Sequence, residues 1–234
     1  VRSAAAAAVA LGRIGDVAAT AALRTALSEG PVGIRPAAAE GLVLCAERAL
    51  ADGKAADAAA TYDLVRGADL PAPHVIEATR GAILARREEG VPLLIEQLRS
   101  PDRRRFNIGL SVARELAGAA VDDALAREFT TAPESRAALL AEVLADRGSP
   151  QARAALAAAV AGEKTPAAVR LVAVRGLGRV GDRASVATLL ALIGSPDQAL
   201  AAAAIAAIAD LRGAGVDEAL VAALGTAQGK GLAV

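Results

Sequence analysis

The sequence predicts an all-α protein, an α-α superhelix of about six helical hairpins with a partial repeat at each end. Three observations carry this. First, the 234 residues are 54% hydrophobic and 22% charged with a mean hydropathy of +0.40, which is far from a disordered composition. Second, that apolar content is mostly small: 65 Ala and 29 Leu stand against three aromatics, Tyr62, Phe106 and Phe129, and no Trp or Met. A β-sandwich needs β-branched and aromatic inner faces, whereas Ala and Leu favour closely packed helices. Third, Leu11-Gly12-Arg13-Ile14-Gly15-Asp16 returns as Leu177-Gly178-Arg179-Val180-Gly181-Asp182, each copy closing an Ala-rich helix. Such recurrence marks a repeat architecture.

With the Leu of that hexad as an anchor, weaker copies fall at Leu42, Leu84, Val112, Leu144 and Ile208, in steps of 31, 42, 28, 32, 33 and 31 residues. One array over 1–234 is expected, a piece of a longer protein. It divides into a partial repeat at 1–15, repeats at 16–52, 53–89, 90–118, 119–148, 149–181 and 182–215, and a partial repeat at 216–234. In the first segment a positive charge precedes Ala4 to Leu11, as in a signal peptide, but the hexad identifies it as a repeat. The segment 53–89 holds the extra residues, and its hairpin turns near Tyr62 to Pro73. The pattern is clearest in 149–181: Gln151 to Ala161, the turn Gly162 to Thr165, then Pro166 to Val180, where Val169, Ala173, Leu177 and Val180 share one helical stripe. Ser100-Pro101, Ser149-Pro150, Thr165-Pro166 and Ser195-Pro196 each offer a capping hydroxyl and a proline for the first helical position. At Gly15-Asp16 and Gly181-Asp182 the glycine is expected to end one helix in the left-handed conformation, and the Asp to cap the next.

These features resemble the HEAT-repeat family, in particular the short bacterial type related to the repeats of phycobilin lyases. The resemblance rests on an Ala-rich second helix with a basic residue near its start and a closing Leu-Gly-Arg-Ile/Val-Gly-Asp: Arg2 with Leu11 to Asp16, Arg35 with Leu42, Arg105 with Val112 to Arg114, and Arg170 with Leu177 to Asp182. The family implies an α-solenoid with first helices on the convex side, second helices on the concave side, and contacts between neighbouring repeats only.

Composition narrows the chemistry. Twenty-six basic residues balance twenty-six acidic ones, so no global field gathers polyanions or anionic lipid. The longest uncharged apolar run, Ala199 to Ala209, is well short of the ~20 residues a membrane helix needs. The single cysteine, Cys45, lies in an apolar run and reads as buried and inert. His74, the single histidine, has no second His or Cys to complete a metal site, so no metal or cofactor is expected. That leaves only Ser, Lys or carboxylate chemistry as an enzymatic alternative. Gly176-Leu177-Gly178-Arg179-Val180-Gly181 formally matches a dinucleotide fingerprint. It closes a helix instead of opening one, which is the wrong dipole end for phosphate, so its glycines are assigned to close packing. Asp122-Asp123 reads as dipole complementation at a helix start. The arginines at 80, 86, 87, 99, 103, 104 and 105 have Glu77, Glu88, Glu89, Glu96 and Asp102 among them, and read as a solvated, internally paired face.

Two residues after each anchor stand Arg13, Leu44, Arg86, Arg114, Asp146, Arg179 and Asp210. In a regular stack these form a row on successive second helices. From Arg114 onward the signs alternate, as an inter-repeat ion-pair ladder requires: Asp146 between Arg114 and Arg179, Asp210 beside Arg179. The charged members Arg13, Arg86, Arg114, Asp146, Arg179 and Asp210 are the candidate concave-surface site. The functional expectation is a non-enzymatic scaffold binding another protein along that surface. The alternatives are a lyase or chaperone-like accessory of a chromophore enzyme, and a nucleic-acid-binding solenoid, which the charge balance disfavours. Uncovered apolar sides at Val1 to Leu11 and near Leu220 to Leu224 suggest weak end-to-end self-association.

Overall fold

The computed structural model describes residues 2–231, with side chains from 3 to 225. Every regular element in this range is an α-helix apart from one 3-10 turn, and the chain gathers into two compact units, Val1–Gly118 and Ala119–Val234. The first unit contains α1 (Arg2–Ile14), α2 (Val17–Ser28), α3 (Arg35–Ala51), α4 (Ala55–Arg66), α5 (Ala72–Arg86), the 3-10 turn Arg87–Gly90, α6 (Val91–Arg99) and α7 (Arg103–Glu115). In the second lie α8 (Ala119–Thr131), α9 (Glu134–Arg147), α10 (Pro150–Ala161), α11 (Ala167–Val180), α12 (Arg183–Leu190), α13 (Gln198–Asp210) and α14 (Val216–Gly231).

Within each unit the helices form two layers. In the first unit α1, α3, α5 and α7 touch in succession as second helices, each of α3, α5 and α7 folded onto the first helix before it. In the second unit α9, α11 and α13 make one layer and α8, α10, α12 and α14 the other. Leu23, Leu42, Ile83, Leu94 and Leu98 are fully buried in the first unit, and Leu125, Leu140, Leu144, Leu156, Leu177 and Leu189 in the second. Alanines fill the spaces between them: Ala38, Ala46, Ala58, Ala78 and Ala82 have no exposed surface. Small side chains let helix axes approach, so these cores are built from backbone proximity as much as from side-chain volume. Cys45 is buried as expected, its thiol facing the Gly12 carbonyl at 3.8 Å.

The recurring hexad owes its first glycine to this proximity. A Cβ on Gly12 would sit 2.6 Å from the Cα of Gly41 on α3, and one on Gly178 would sit 2.7 Å from the Cα of Ala207 on α13. Both glycines therefore mark where a second helix crosses the next one. The second glycine divides differently from expectation. Gly15 is left-handed, with φ of 64°. Gly181 is extended, with φ of −65° and ψ of 167°, and is required for space instead: a Cβ there would lie 2.3 Å from the Leu177 carbonyl oxygen.

The capping expectations are also corrected in part. Ser149 caps α10, accepting from the Ala152 amide at 3.1 Å, with Pro150 at the first helical position. At Ser100-Pro101-Asp102 and Ser195-Pro196-Asp197 the helices begin two residues later, because the Asp is the cap. Asp102 accepts from the Arg104 amide at 2.7 Å and Asp197 from Ala199 and Leu200 at 2.9 and 3.2 Å. The serine hydroxyl in each accepts the amide of that Asp at 3.2 Å. A residue before proline is pushed out of the α region, as at Ser100 with φ of −59° and ψ of 136°, and the carboxylate two residues on takes the cap. Thr165 does not cap α11, which begins after an extended Pro166. Asp16 and Asp182 cap α2 and α12 as expected, Asp182 within a capping box with Ser185.

Two anchors are less buried than expected. Leu42, Leu144 and Leu177 have no exposed surface, but Leu11 and Ile208 are half-buried. Among the described residues, α1 and α13 have a second-helix neighbour on one side only.

Candidate functional site

The expected row lies on second helices, and the structure treats its members differently in the two units. In the second unit, Arg179 on α11 reaches back to α9. Its Nη2 donates to Asp146 Oδ1 at 2.6 Å and its Nη1 lies 3.4 Å from Glu142 Oε2. All three side chains are partly exposed, at 47%, 37% and 43%. Glu142 and Asp146 are four residues apart on one face of α9, so the guanidinium sits between two carboxylates one turn apart. Asp210 on α13, expected beside Arg179, is exposed and forms no ion pair with it, because both amino groups of Arg179 are turned toward α9.

In the first unit the register slips. Gly41 and Gly176 directly precede the anchors Leu42 and Leu177, and each lies between the preceding second helix, at Ala8 and Ala145, and the first helix of its own hairpin, at Leu23 and Leu156. The glycines in that role on α5 and α7 are Gly81, against the Tyr62 ring, and Gly109, against Leu98. The structural equivalents of the anchors are therefore Ala82 and Leu110, two residues before Leu84 and Val112. Two residues rotate a helical position by about 200°. Arg86 accordingly leaves the row and pairs with Asp63 on α4, its own first helix. Arg114 is exposed on α7 and donates to its own Leu110 carbonyl at 3.0 Å. An exposed ion pair that joins second helices here is Arg80 on α5 with Glu115 on α7. Neither was in the expected row, although both are charged residues within five positions of a glycine-set anchor.

Arg13 is exposed, and what ties α1 to α3 at this point is Arg48. Its Nη1 donates to the carbonyls of Arg13 and Ile14 at 2.9 and 3.0 Å, meeting the negative end of α1 with a cation. The basic residues near the starts of second helices do similar work: Arg35 Nε donates to the Gly30 carbonyl at 3.0 Å, and Arg170 Nε to the Val160 carbonyl at 2.7 Å. Each ties a second helix to the end of its first.

Two further clusters surround these surfaces. Asp63 is shared by Arg66, at 2.7 Å, and Arg86. Burial pushes its carboxyl upward, but the hydrogen bonds and charges of the two guanidinium groups outweigh that and hold it below the usual carboxylate range. Burial also pushes the Tyr62 phenol up to about 12, assisted by the Glu47 charge. Asp122, in the first turn of α8, does more than complement the dipole: it pairs with Arg147 in the last turn of α9, with side chains only 13% and 8% exposed. His74 lies at the start of α5, its Nε2 3.5 Å from Glu40 Oε1. No cluster of three or more metal-ligating side chains and no helix long and apolar enough to cross a membrane occurs among the described residues.

A comparison with curated proteins finds no match. Among solved structures, human deoxyhypusine hydroxylase in complex with glycerol aligns with 87% of this chain and 77% of its own at 18% identity, with a TM-score of 0.47. Residues 161–232 match the family model for HEAT repeats. That segment contains α11, α12, α13 and the second copy of the hexad, and it is similar to HEAT repeats.

Proposed function

We propose that this protein is a non-enzymatic interaction scaffold that binds a partner protein along the face formed by its second helices, the face that is concave in the HEAT-repeat family. The observation that carries the reading is the Glu142–Arg179–Asp146 network, which is charged, fixed in geometry and left exposed on adjacent second helices. Exposed ion pairs contribute only about 0–1 kcal/mol to stability, so stability is a weak reason to hold three charged side chains there. A pre-set pattern of charge is useful to a partner, because it orients the encounter and leaves less side-chain freedom to be lost on binding. Arg13 and Asp210, exposed on α1 and α13, and the Arg80–Glu115 pair extend the charged character within each unit.

Site-specific crosslinking tests this. A photoreactive residue in place of Glu142 should yield a discrete crosslinked product in a lysate of the source organism. The same residue in place of Arg183, exposed on the first-helix layer, should yield none. Equal products from both positions, or none from position 142, would contradict the reading.

A further inference from the structure

The arginine-rich segment is not one paired face. Arg80 and Arg86 are neutralised by Glu115 and Asp63, but Arg103, Arg104 and Arg105 are exposed and their side chains form no hydrogen bond or ion pair among the described residues. These three occupy the first turn of α7, where the helix dipole disfavours cations. The neighbouring carboxylate, Asp102, caps the helix through the Arg104 amide and makes no side-chain hydrogen bond to the three guanidinium groups.

Nor do they serve the hairpin. Arg35 and Arg170, at the corresponding place in their repeats, fold back onto a carbonyl at or beyond the end of the preceding helix. The counterpart in α7 is Arg105 by spacing from Val112 and Arg103 by spacing from the glycine-set anchor, and neither makes that bond. Beside them lies an open groove of about 510 Å³, lined by Pro92, Ile95, Glu96, Arg99, Pro101 and Arg105. Three consecutive cations at an unfavourable helix end, without a structural task and beside a partly apolar groove, are arranged for something that is not in the chain.

We infer that the start of α7 and the α6–α7 groove form a docking surface for an acidic peptide segment of a partner protein, with Arg103, Arg104 and Arg105 pairing with Asp or Glu side chains and Pro92 and Ile95 supporting its apolar residues. An extended peptide fits better than nucleic acid. The chain's net charge is zero, and Phe106, the aromatic residue closest in sequence, is 6% exposed and offers no stacking platform. The surface lies in the first unit and is separate from the Glu142–Arg179–Asp146 network. It shares with the scaffold reading only the premise that the partner is a protein.

The test is fluorescence anisotropy of a labelled Asp/Glu-rich peptide with an apolar residue between the charges, titrated with the full chain at low and physiological salt. Replacing all three arginines (Arg103→Gln, Arg104→Gln, Arg105→Gln) should weaken binding by about tenfold or more, the equivalent of losing one or two charge-assisted contacts. Arg179→Glu should leave this binding unchanged, which separates failure of this inference from failure of the scaffold reading. The melting temperature of the triple variant should equal or exceed that of the parent, since cations leave a helix N-terminus. Peptide binding unaffected by the triple substitution, tighter retention of labelled duplex DNA than of the peptide, or a fall in melting temperature would each overturn the inference.

Discussion

Asp122 and Arg147 are the clearest case of a charge pair whose removal should be costly. They close one hairpin from the first turn of α8 to the last turn of α9, each at the helix end its charge suits, and both are nearly excluded from water. Asp122→Ala removes one carboxylate from a nearly buried guanidinium and should cost about 1–3 kcal/mol by urea unfolding. A loss well under that range would show that the site hydrates when opened. Asp63 sets a different expectation because its contribution depends on pH. Its native pKa lies below the ordinary 3.8, so the stabilisation it gives is fully present above that value and is lost as pH falls through the lower native one. The parent should therefore lose more stability than Asp63→Asn between neutral pH and the acid limit of folding. Parallel urea midpoints for the two proteins across that range would show otherwise.

The helices were largely legible, since composition, the repeated hexad and the proline and glycine punctuation all point the same way. What misled the reading was counting along the chain. The extra residues in 53–89 obscure the period, and the repeat spacing points to the large apolar residues Leu84 and Val112, whereas the residues that follow the crossing glycines are Ala82 and Leu110. The signal that corrects this is a glycine directly before the anchor, at Gly41, Gly81, Gly109 and Gly176, because a helix needs a small residue where it crosses its own partner. Ser-Pro-Asp was legible in the same sense. With an Asp two residues after the serine the carboxylate caps, and with Gln151 in that place the hydroxyl does. At this scale the crossing glycines make the sharper prediction. Gly178→Val places branched atoms against the Ala207 backbone and should destabilise by about 1–3 kcal/mol or more. Leu177→Ala, beside it in the same core, should cost about 2–5 kcal/mol through the cavity it leaves. A variant of either kind as stable as the parent would show that α11 and α13 are not packed as described.

At the scale of the whole molecule, each unit holds its own set of fully buried leucines, and the nearly buried Asp122–Arg147 pair lies inside one hairpin. Residues 119–234 produced alone should therefore stay helical and unfold cooperatively. A broad, non-cooperative transition would contradict a self-sufficient core. The charged second-helix face was legible only in part. Arg179 and Asp146 were placed on neighbouring helices by the repeat spacing, but Glu142, Arg80 and Glu115 were missed, because a row drawn at one offset from an anchor ignores residues a turn away on the same face. The central claim is that the Glu142–Arg179–Asp146 network serves binding more than folding. Arg179→Gln measures this most directly, with urea unfolding and crosslinking from a nearby photoreactive position performed on the same variant. The account predicts a stability change of about 1 kcal/mol or less, the scale of an exposed pair, together with loss of the crosslinked partner. A large loss of stability with crosslinking retained would contradict it.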